Sequence, residues 1–427
     1  MTRILMATSP IYGHFAPLKI VADHLSKYGY DVTLLSHESF RVSAGANLQF
    51  RGFTGEADVD LEALTASPER LALPAGPAQF AWDMRNIFVK VMAGQHRDVQ
   101  HALEEAGDEP VVLIHETGFF GAVPSLMGAP GPRAIAAVGL GPVSFTLASA
   151  DTAPFGMGVP PDSSEEGRAR NQEAYAAMGQ LMGPAQELFE QTLAEFGVTQ
   201  GPVPFFLDST VLKADRFLQL SVEELSYRRS DTPSHVKFVG TLPPAAPSGD
   251  LPTWWQDVIS AERVVVVTQG TVANQSFTDL IEPTLQALAG FPGLVVAATG
   301  RPGEIGDVPA NVRVAEFVPF DDLLPHADVL VTNGGFGAVQ QALRHGVPMV
   351  AAGLTEEKKE NNVRLAATGA AIDLATDRPT AADVRQAVDS ILNIGSYKEN
   401  AQRLAAEYAK HNALEEIEKA ISELAGS

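Results

Sequence analysis

The sequence predicts an α/β protein made of two halves, each built on a parallel sheet. Three features carry that prediction. A strand–helix–strand pattern opens the chain at residues 3–36, a second opens at residues 263–298, and a proline-rich stretch, TLPPAAPSGDLPT at 241–253, stands between them. Strands that alternate with amphipathic helices form βαβ units, whose parallel strands are buried on both faces and read as continuous apolar runs. The 427 residues divide into two halves of about 200 residues, an ordinary domain size.

In the first half, Arg3 to Thr8 reads as a buried strand and Ser9 to His14 as a turn. Ala16 to Tyr28 follows as a helix, with Leu18, Val21, Ala22 and Leu25 at helical spacing and Pro17 in its first turn. Gly29 ends it, and Asp31 to Ser36 is the second strand. The turn lacks G-x-G-x-x-G, so a dinucleotide cofactor is not expected. Residues 52–100 interrupt the alternation. Phe80, Trp82, Met84, Phe88 and Met92 lie there among Pro, Gly and Ala, and they suit either a local helical core or the apolar wall of a ligand site. Strands are predicted at Val111–His115, Ala134–Val138, Phe217–Ser221 and Val236–Val239, with helices at Phe119–Met127 and Gln172–Phe196 and a loop at 150–172.

The second half begins after the proline-rich connector. Arg263 to Gln269 is its first strand, turned by Gly270-Thr271, and 278–289 is a helix. Strands are predicted at 294–298, 312–315, Val329–Thr332 and Val347–Ala351, and helices at Gln340–His345, Glu356–Ala367, Thr380–Leu392 and Tyr397–Leu424. The stretch around which this half is organised is Asn333-Gly334-Gly335-Phe336-Gly337, a glycine turn between a buried strand and a helix. Backbone at such a turn approaches a ligand closely, and the helix behind it offers free N–H groups and a positive dipole end. A phosphate is the ligand this arrangement suits.

Composition narrows the function. The formal net charge is −22, which repels nucleic acid and anionic membranes. No cysteine is present, so disulfides, thiolate metal sites and cysteine nucleophiles are excluded, in keeping with a cytoplasmic protein. The apolar run after Met1 is shorter than a signal-peptide core, and no stretch is long enough to span a bilayer. Asp58-Val59-Asp60 has the D-x-D form of some metal-dependent sugar transferases, but no strand precedes it and chance explains it better, so no metal is expected.

Taken together, Gly13-His14 in the first turn, Gly270-Thr271 after a valine-rich strand and the block from Phe317 to Asn361 resemble a family 1 glycosyltransferase of GT-B fold. The similarity is greatest to the bacterial macrolide- and antibiotic-type enzymes, relatives of the UDP-glycosyltransferases. It implies two Rossmann-like domains facing a cleft: an acceptor domain (1–240), the linker (241–253), a nucleotide-sugar domain (254–395) and a C-terminal helix (396–427) that crosses back to the first domain. It also implies inverting, metal-independent sugar transfer with no cofactor beyond the nucleotide sugar. His14 is similar to the family's general base, and Glu116 stands where the family has an aspartate that orients it. His115, the neighbouring imidazole, belongs on the opposite face of its strand.

The resemblance further assigns the donor site. Gly270, Thr271 and the backbone of Gly335, Phe336, Gly337 and Ala338 meet the diphosphate, and Phe317 and Val318 meet the base. Several positions depart from the family pattern. Asn333 replaces the phosphate-contacting histidine, Phe317 the stacking tryptophan, Phe320 a glutamine, Ala338 a serine and Gln341 the ribose-binding glutamate. Glu357 fits the acidic member of the sugar-gripping pair, Lys358 replaces its glutamine, and Asn361 matches. UDP-glucose is the default donor and a dTDP-deoxysugar the alternative. Phe80, Trp82, Met84, Phe88, Phe119 and Phe120 are candidates to line a pocket for a small, largely apolar hydroxylated acceptor such as a polyketide, macrolide or phenol. Two other readings stand beside this one: a non-catalytic helper related to the transferases, and a sugar-nucleotide epimerase or hydrolase of the same architecture.

Overall fold

The computed structural model describes every residue except Met1, Ala75, Gln200, 244–250, 271–273, Glu356 and Ser427, and the backbone alone of Glu62. The first sheet has seven strands: β1 (Arg3–Ala7), β2 (Asp31–Ser36), β3 (Gln49–Gly52), β4 (Val111–Glu116), β5 (Ala136–Gly141), β6 (Arg216–Gln219) and β7 (Val236–Phe238). Their order is β3-β2-β1-β4-β5-β6-β7, and every pair is parallel. The second sheet has six: β8 (Val264–Thr268), β9 (Leu294–Ala298), β10 (Val312–Ala315), β11 (Val329–Thr332), β12 (Met349–Ala351) and β13 (Ala371–Asp373). Its order, β10-β9-β8-β11-β12-β13, repeats the first six positions of the other sheet, again all parallel. This is the Rossmann strand order, occurring twice.

Side-chain alternation explains why both faces of each sheet are covered. Along β1, Ile4 and Met6 pack with Leu18, Val21 and Leu25 of the first helix, while Leu5 and Ala7 pack with Val99 and Leu103 on the other face. Along β8, Val264 and Val266 join one core and Val265 and Val267 the other. Each such buried side chain contributes about 1.5–3 kcal/mol, so a one-residue slip in register is strongly disfavoured.

Several elements differ from expectation, for local reasons. The first helix begins at Tyr12, not Ala16, so Pro17 lies inside it and His14 sits in its first turn. The expected helix 172–196 is two helices, Glu165–Leu181 and Gly183–Glu195, because Pro184 lacks the N–H that would continue the first. The final helix is also two, Gly395–Tyr408 and Ala413–Ala425. Asn412 caps the second by accepting the Glu415 N–H (3.4 Å). The break lets the chain turn back. Ala401, Leu404 and Tyr408 pack under the second sheet, whereas Ala413, Ile417, Ala420 and Ile421 pack under the first. The short strands β3 and β13 have no expected counterpart. Among the described residues, no helix is long and apolar enough to cross a membrane.

The halves are tied across their interface by the Lys358–Ala367 helix. Its Arg364 is buried, pairs with Glu360 (2.9 Å), donates to the Phe145 carbonyl (2.9 Å) and lies over the Tyr227 ring. Glu360 also accepts the Gly158 N–H (2.9 Å). Phe145 and Gly158 both belong to the long connection after β5.

Candidate active site

Open α/β sheets bind ligands beyond the carboxyl ends of the strands, where the strand order reverses. In the first sheet that point lies between β1 and β4. His14 follows β1 and Glu116 is the last residue of β4, so the topology itself brings them together across 102 residues of sequence. His14 Nδ1 lies 2.7 Å from Glu116 Oε2, and the Glu116 side chain is fully buried. Oε2 also accepts the Gly118 N–H (2.5 Å), and Oε1 accepts the Ser9 N–H (3.0 Å) and hydroxyl (2.6 Å).

These contacts fix protonation. An ionised carboxylate offers about four acceptor sites, and the Ser9 N–H, the Ser9 hydroxyl and the Gly118 N–H fill three of them, which favours the charged form. Burial would raise the Glu116 pKa, but His14 and the Ser9 and Gly118 donors outweigh it and hold the group at about 2. Nδ1 of His14 therefore carries the hydrogen, and Nε2 is the basic nitrogen. Burial lowers the His14 pKa, but the adjacent Glu116 charge and the more distant Glu357 charge outweigh it, and the net shift is upward. His115 behaves differently. It is wholly buried on the other face of β4, and desolvation pushes its pKa down to about 4.

Of the residues expected to line an acceptor pocket, Phe88 is the one adjacent to this pair. Its ring centroid is 6.4 Å from that of His14. It lies in a π-helical turn, Met84–Val89, closed by the Lys90 N–H on the Arg85 carbonyl. Phe80 and Trp82 are half-buried one turn earlier. Met84, Phe119 and Phe120 are core residues instead. Phe119 stacks on Phe53, and Phe120 meets Phe189 and Phe206 edge-on. Their apolarity serves packing, which composition cannot distinguish from a pocket wall.

In the second sheet the order reverses between β8 and β11. Gly270 follows β8 with φ +70, and open space faces its Cα. Thr271 lies outside the described residues. Asn333 to Gly335 follow β11 and lead into the Phe336–Arg344 helix, whose N-cap Gly335 supplies no side-chain cap. Gly337 is exposed with open space around its Cα, and it and Ala338 lie in the first turn, whose N–H groups have no acceptor within the helix. Gly334 has φ +91, and a Cβ there would overlap the Asn362 side chain.

The polar side chains of this loop mostly hold the protein together. Asn333 donates to the Gln269 carbonyl and accepts the Gly335 N–H (3.3 Å), joining the two glycine turns. Asn361 donates to the Gly334 carbonyl (3.0 Å) and accepts from the Ser144 hydroxyl of the first half. Val318 and Phe336 place their side chains in the core, leaving only backbone for a ligand. Phe317, in contrast, is 63% exposed, an unusual exposure for phenylalanine. Gln341 is half-buried, as is Glu357, while Lys358 is buried at the start of its helix. Asp58 and Asp60 of the D-x-D sequence are committed elsewhere, Asp58 to His37 (3.0 Å) and Asp60 to the Ala63 N–H (3.0 Å).

The chain is 42% identical to UDP-glycosyltransferase 2 of Phaeomoniella chlamydospora over 439 aligned residues, which span 100% of this chain and 96% of that protein. It belongs to the UDP-glycosyltransferase family. Residues 282–424 of this glycosyltransferase match the family described as erythromycin biosynthesis protein CIII-like, C-terminal domain. It is 35% identical to 4'-demethylrebeccamycin synthase of Lentzea aerocolonigenes, over 96% of this chain and 97% of that one. Among solved structures it is similar to the glycotransferase of kitacinnamycin, with a TM-score of 0.74 at 23% identity, covering 99% of this chain and 100% of that one. CalG4, the calicheamicin glycosyltransferase, superposes with a TM-score of 0.72 at 18% identity, covering 99% and 98%. The fold of this glycosyltransferase is therefore GT-B.

Ser9, Gly118, Ser144 and Gln269 are the site residues that sequence reasoning missed. Ser9 opens the turn read at 9–14 and Gln269 ends the strand read before Gly270, and those positions were the available signal.

Proposed function

We propose that this glycosyltransferase moves a hexose from a UDP-sugar, UDP-glucose by default, to a hydroxyl of a small apolar acceptor, with inversion and without a metal. The observation that carries the reading is the His14–Glu116 pair, a partly exposed imidazole on a buried carboxylate, beside Phe88. In the reaction, His14 Nε2 takes the acceptor hydroxyl proton while Glu116 stabilises the imidazolium that forms. The acceptor oxygen attacks the anomeric carbon from the face opposite the leaving group. The bond from that carbon to the phosphate oxygen breaks, and the nucleoside diphosphate departs with the electron pair. First-turn N–H groups at Gly337 and Ala338 meet the negative charge that builds on the diphosphate. Glu357 grips sugar hydroxyls, exposed Phe317 stacks on the base, and Gln341 contacts the ribose. A UDP donor is supported by the relatives named as UDP-glycosyltransferases. The spinosyn rhamnosyltransferase solved with thymidine diphosphate keeps the dTDP alternative in view. The helper reading drew on Asn333, Ala338 and Gln341, of which Asn333 joins the two glycine turns.

A calorimetric panel of UDP, dTDP, UDP-glucose and dTDP-glucose, each with and without EDTA, tests the donor. Selective, EDTA-insensitive binding of the uridine compounds is expected. Preference for thymidine compounds overturns the donor assignment, and loss of binding in EDTA overturns metal independence. The anomeric configuration of the product of a phenol acceptor, read by NMR, tests inversion.

A further inference from the structure

Glutamate at position 116 raises a question of reach. Its extra methylene gives the carboxylate one more torsion than an aspartate has, and an unrestrained carboxylate would not hold a single imidazole orientation. Ser9 answers it. The Ser9 hydroxyl donates to Oε1 at 2.6 Å and its N–H donates to the same atom at 3.0 Å. Ser9 is itself fixed, since its carbonyl accepts the Ile11 N–H (2.8 Å) and the Thr8 hydroxyl (3.3 Å). Both Ser9 and Glu116 are buried, so water is not at hand to replace either donor. Gly118 completes the cradle. A Cβ there would stand 3.0 Å from Phe88, 3.2 Å from the Ser9 hydroxyl and 3.3 Å from the His14 ring, so these three side chains close on a spot where even a methyl group would be tight.

We propose that Ser9 is a positioning residue for sugar transfer. It anchors the Glu116 carboxylate through Oε1 so that Oε2 faces His14 Nδ1, and it thereby makes glutamate work in the orienting role. The proposal rests on the reading of His14 as general base. The groups whose charge bears on His14 are Glu116 from β4 and Glu357 from the start of the Lys358–Ala367 helix. Without the Ser9 hydroxyl, Oε1 has an unmet acceptor site in a dry pocket. The carboxylate then turns or takes a proton more readily, and either change withdraws negative charge from Nδ1.

The test uses the full-length enzyme with UDP-glucose and a phenol acceptor, comparing wild type, Ser9→Ala, Ser9→Thr and His14→Ala. For Ser9→Ala we expect kcat to fall about tenfold or more, the size expected for loss of a hydrogen bond to a charged group. The donor KM stays within about twofold, because the interactions lost act on the proton-transfer step. The acid limb of kcat and the NMR titration of the His14 ring both move to lower pH. Ser9→Thr keeps the hydroxyl and restores both. Ser9→Ala with an unmoved limb and an unmoved His14 titration overturns the proposal, even where kcat falls. His14→Ala separates the two claims. If it retains turnover, the base reading fails first; if it is inactive and Ser9→Ala matches wild type, only the Ser9 role fails.

Discussion

Four donors converge on one buried carboxylate, and that convergence governs the chemistry at the residue scale. A base must be neutral to accept a proton. If His14 is the base, its raised pKa predicts that activity is lost as pH falls through that value, with the acid limb of kcat above the ordinary imidazole value. Glu116→Gln removes the charge that outweighs burial. We expect its acid limb at lower pH than wild type and a kcat lower by about 10²–10⁴-fold, within the usual range for general-base catalysis. A pH–rate profile measures both. His14 and Glu116 were proposed from the family resemblance, and the sheet brings the two side chains together as that resemblance implied. Ser9 and Gly118 were not, since their role is to touch a side chain that only sheet topology brings near, and nothing local to Ser9 announces a partner 107 residues away.

At the scale of elements, the glycine turns are where sequence and structure agree best. β8 and β11 are short, wholly buried valine-rich strands, and the glycines after them are visible as punctuation. Helix starts were harder. The first helix was expected four residues late because Pro17 suggested a first turn, and β3 and β13 are too short and too near the sheet edges to show a pattern. The aromatic segment divided for a physical reason. Met84 is buried within one core, whereas Phe88, in the same π-helical turn, packs at the margin of that core and also meets the His14 ring. The Phe336–Arg344 helix permits a clean test of the anion site. Gly337 has open space around its Cα, so Gly337→Asp fits without collision. A carboxylate in a first turn favours the helix dipole but competes with a phosphate. We expect an unchanged or higher melting temperature together with UDP binding at least about tenfold weaker, a loss of about 1.4 kcal/mol or more. Unchanged UDP affinity in calorimetry would remove this helix from the donor site.

At the scale of the molecule, the same strand order occurs twice, and the two reversal points carry different tasks. The first holds the His14–Glu116 pair and the second a helix start without a side-chain cap. The connection after β5 reaches across to the Lys358–Ala367 helix, and the Ala413–Ala425 helix returns to the first sheet, so the chain crosses between halves more than once. The return was expected from family resemblance. Its break at Asn412 was not, since residues 397–424 keep a helical composition throughout. The proposed function puts proton transfer and donor binding on different halves, so it predicts that they are separable by mutation. His14→Ala is the most direct measurement. Turnover and UDP-glucose affinity would be determined on the same preparation. The account predicts kcat lower by at least about 10²-fold with a donor dissociation constant within about twofold of wild type. Near wild-type turnover would contradict it, and so would a loss of activity explained wholly by lost donor binding.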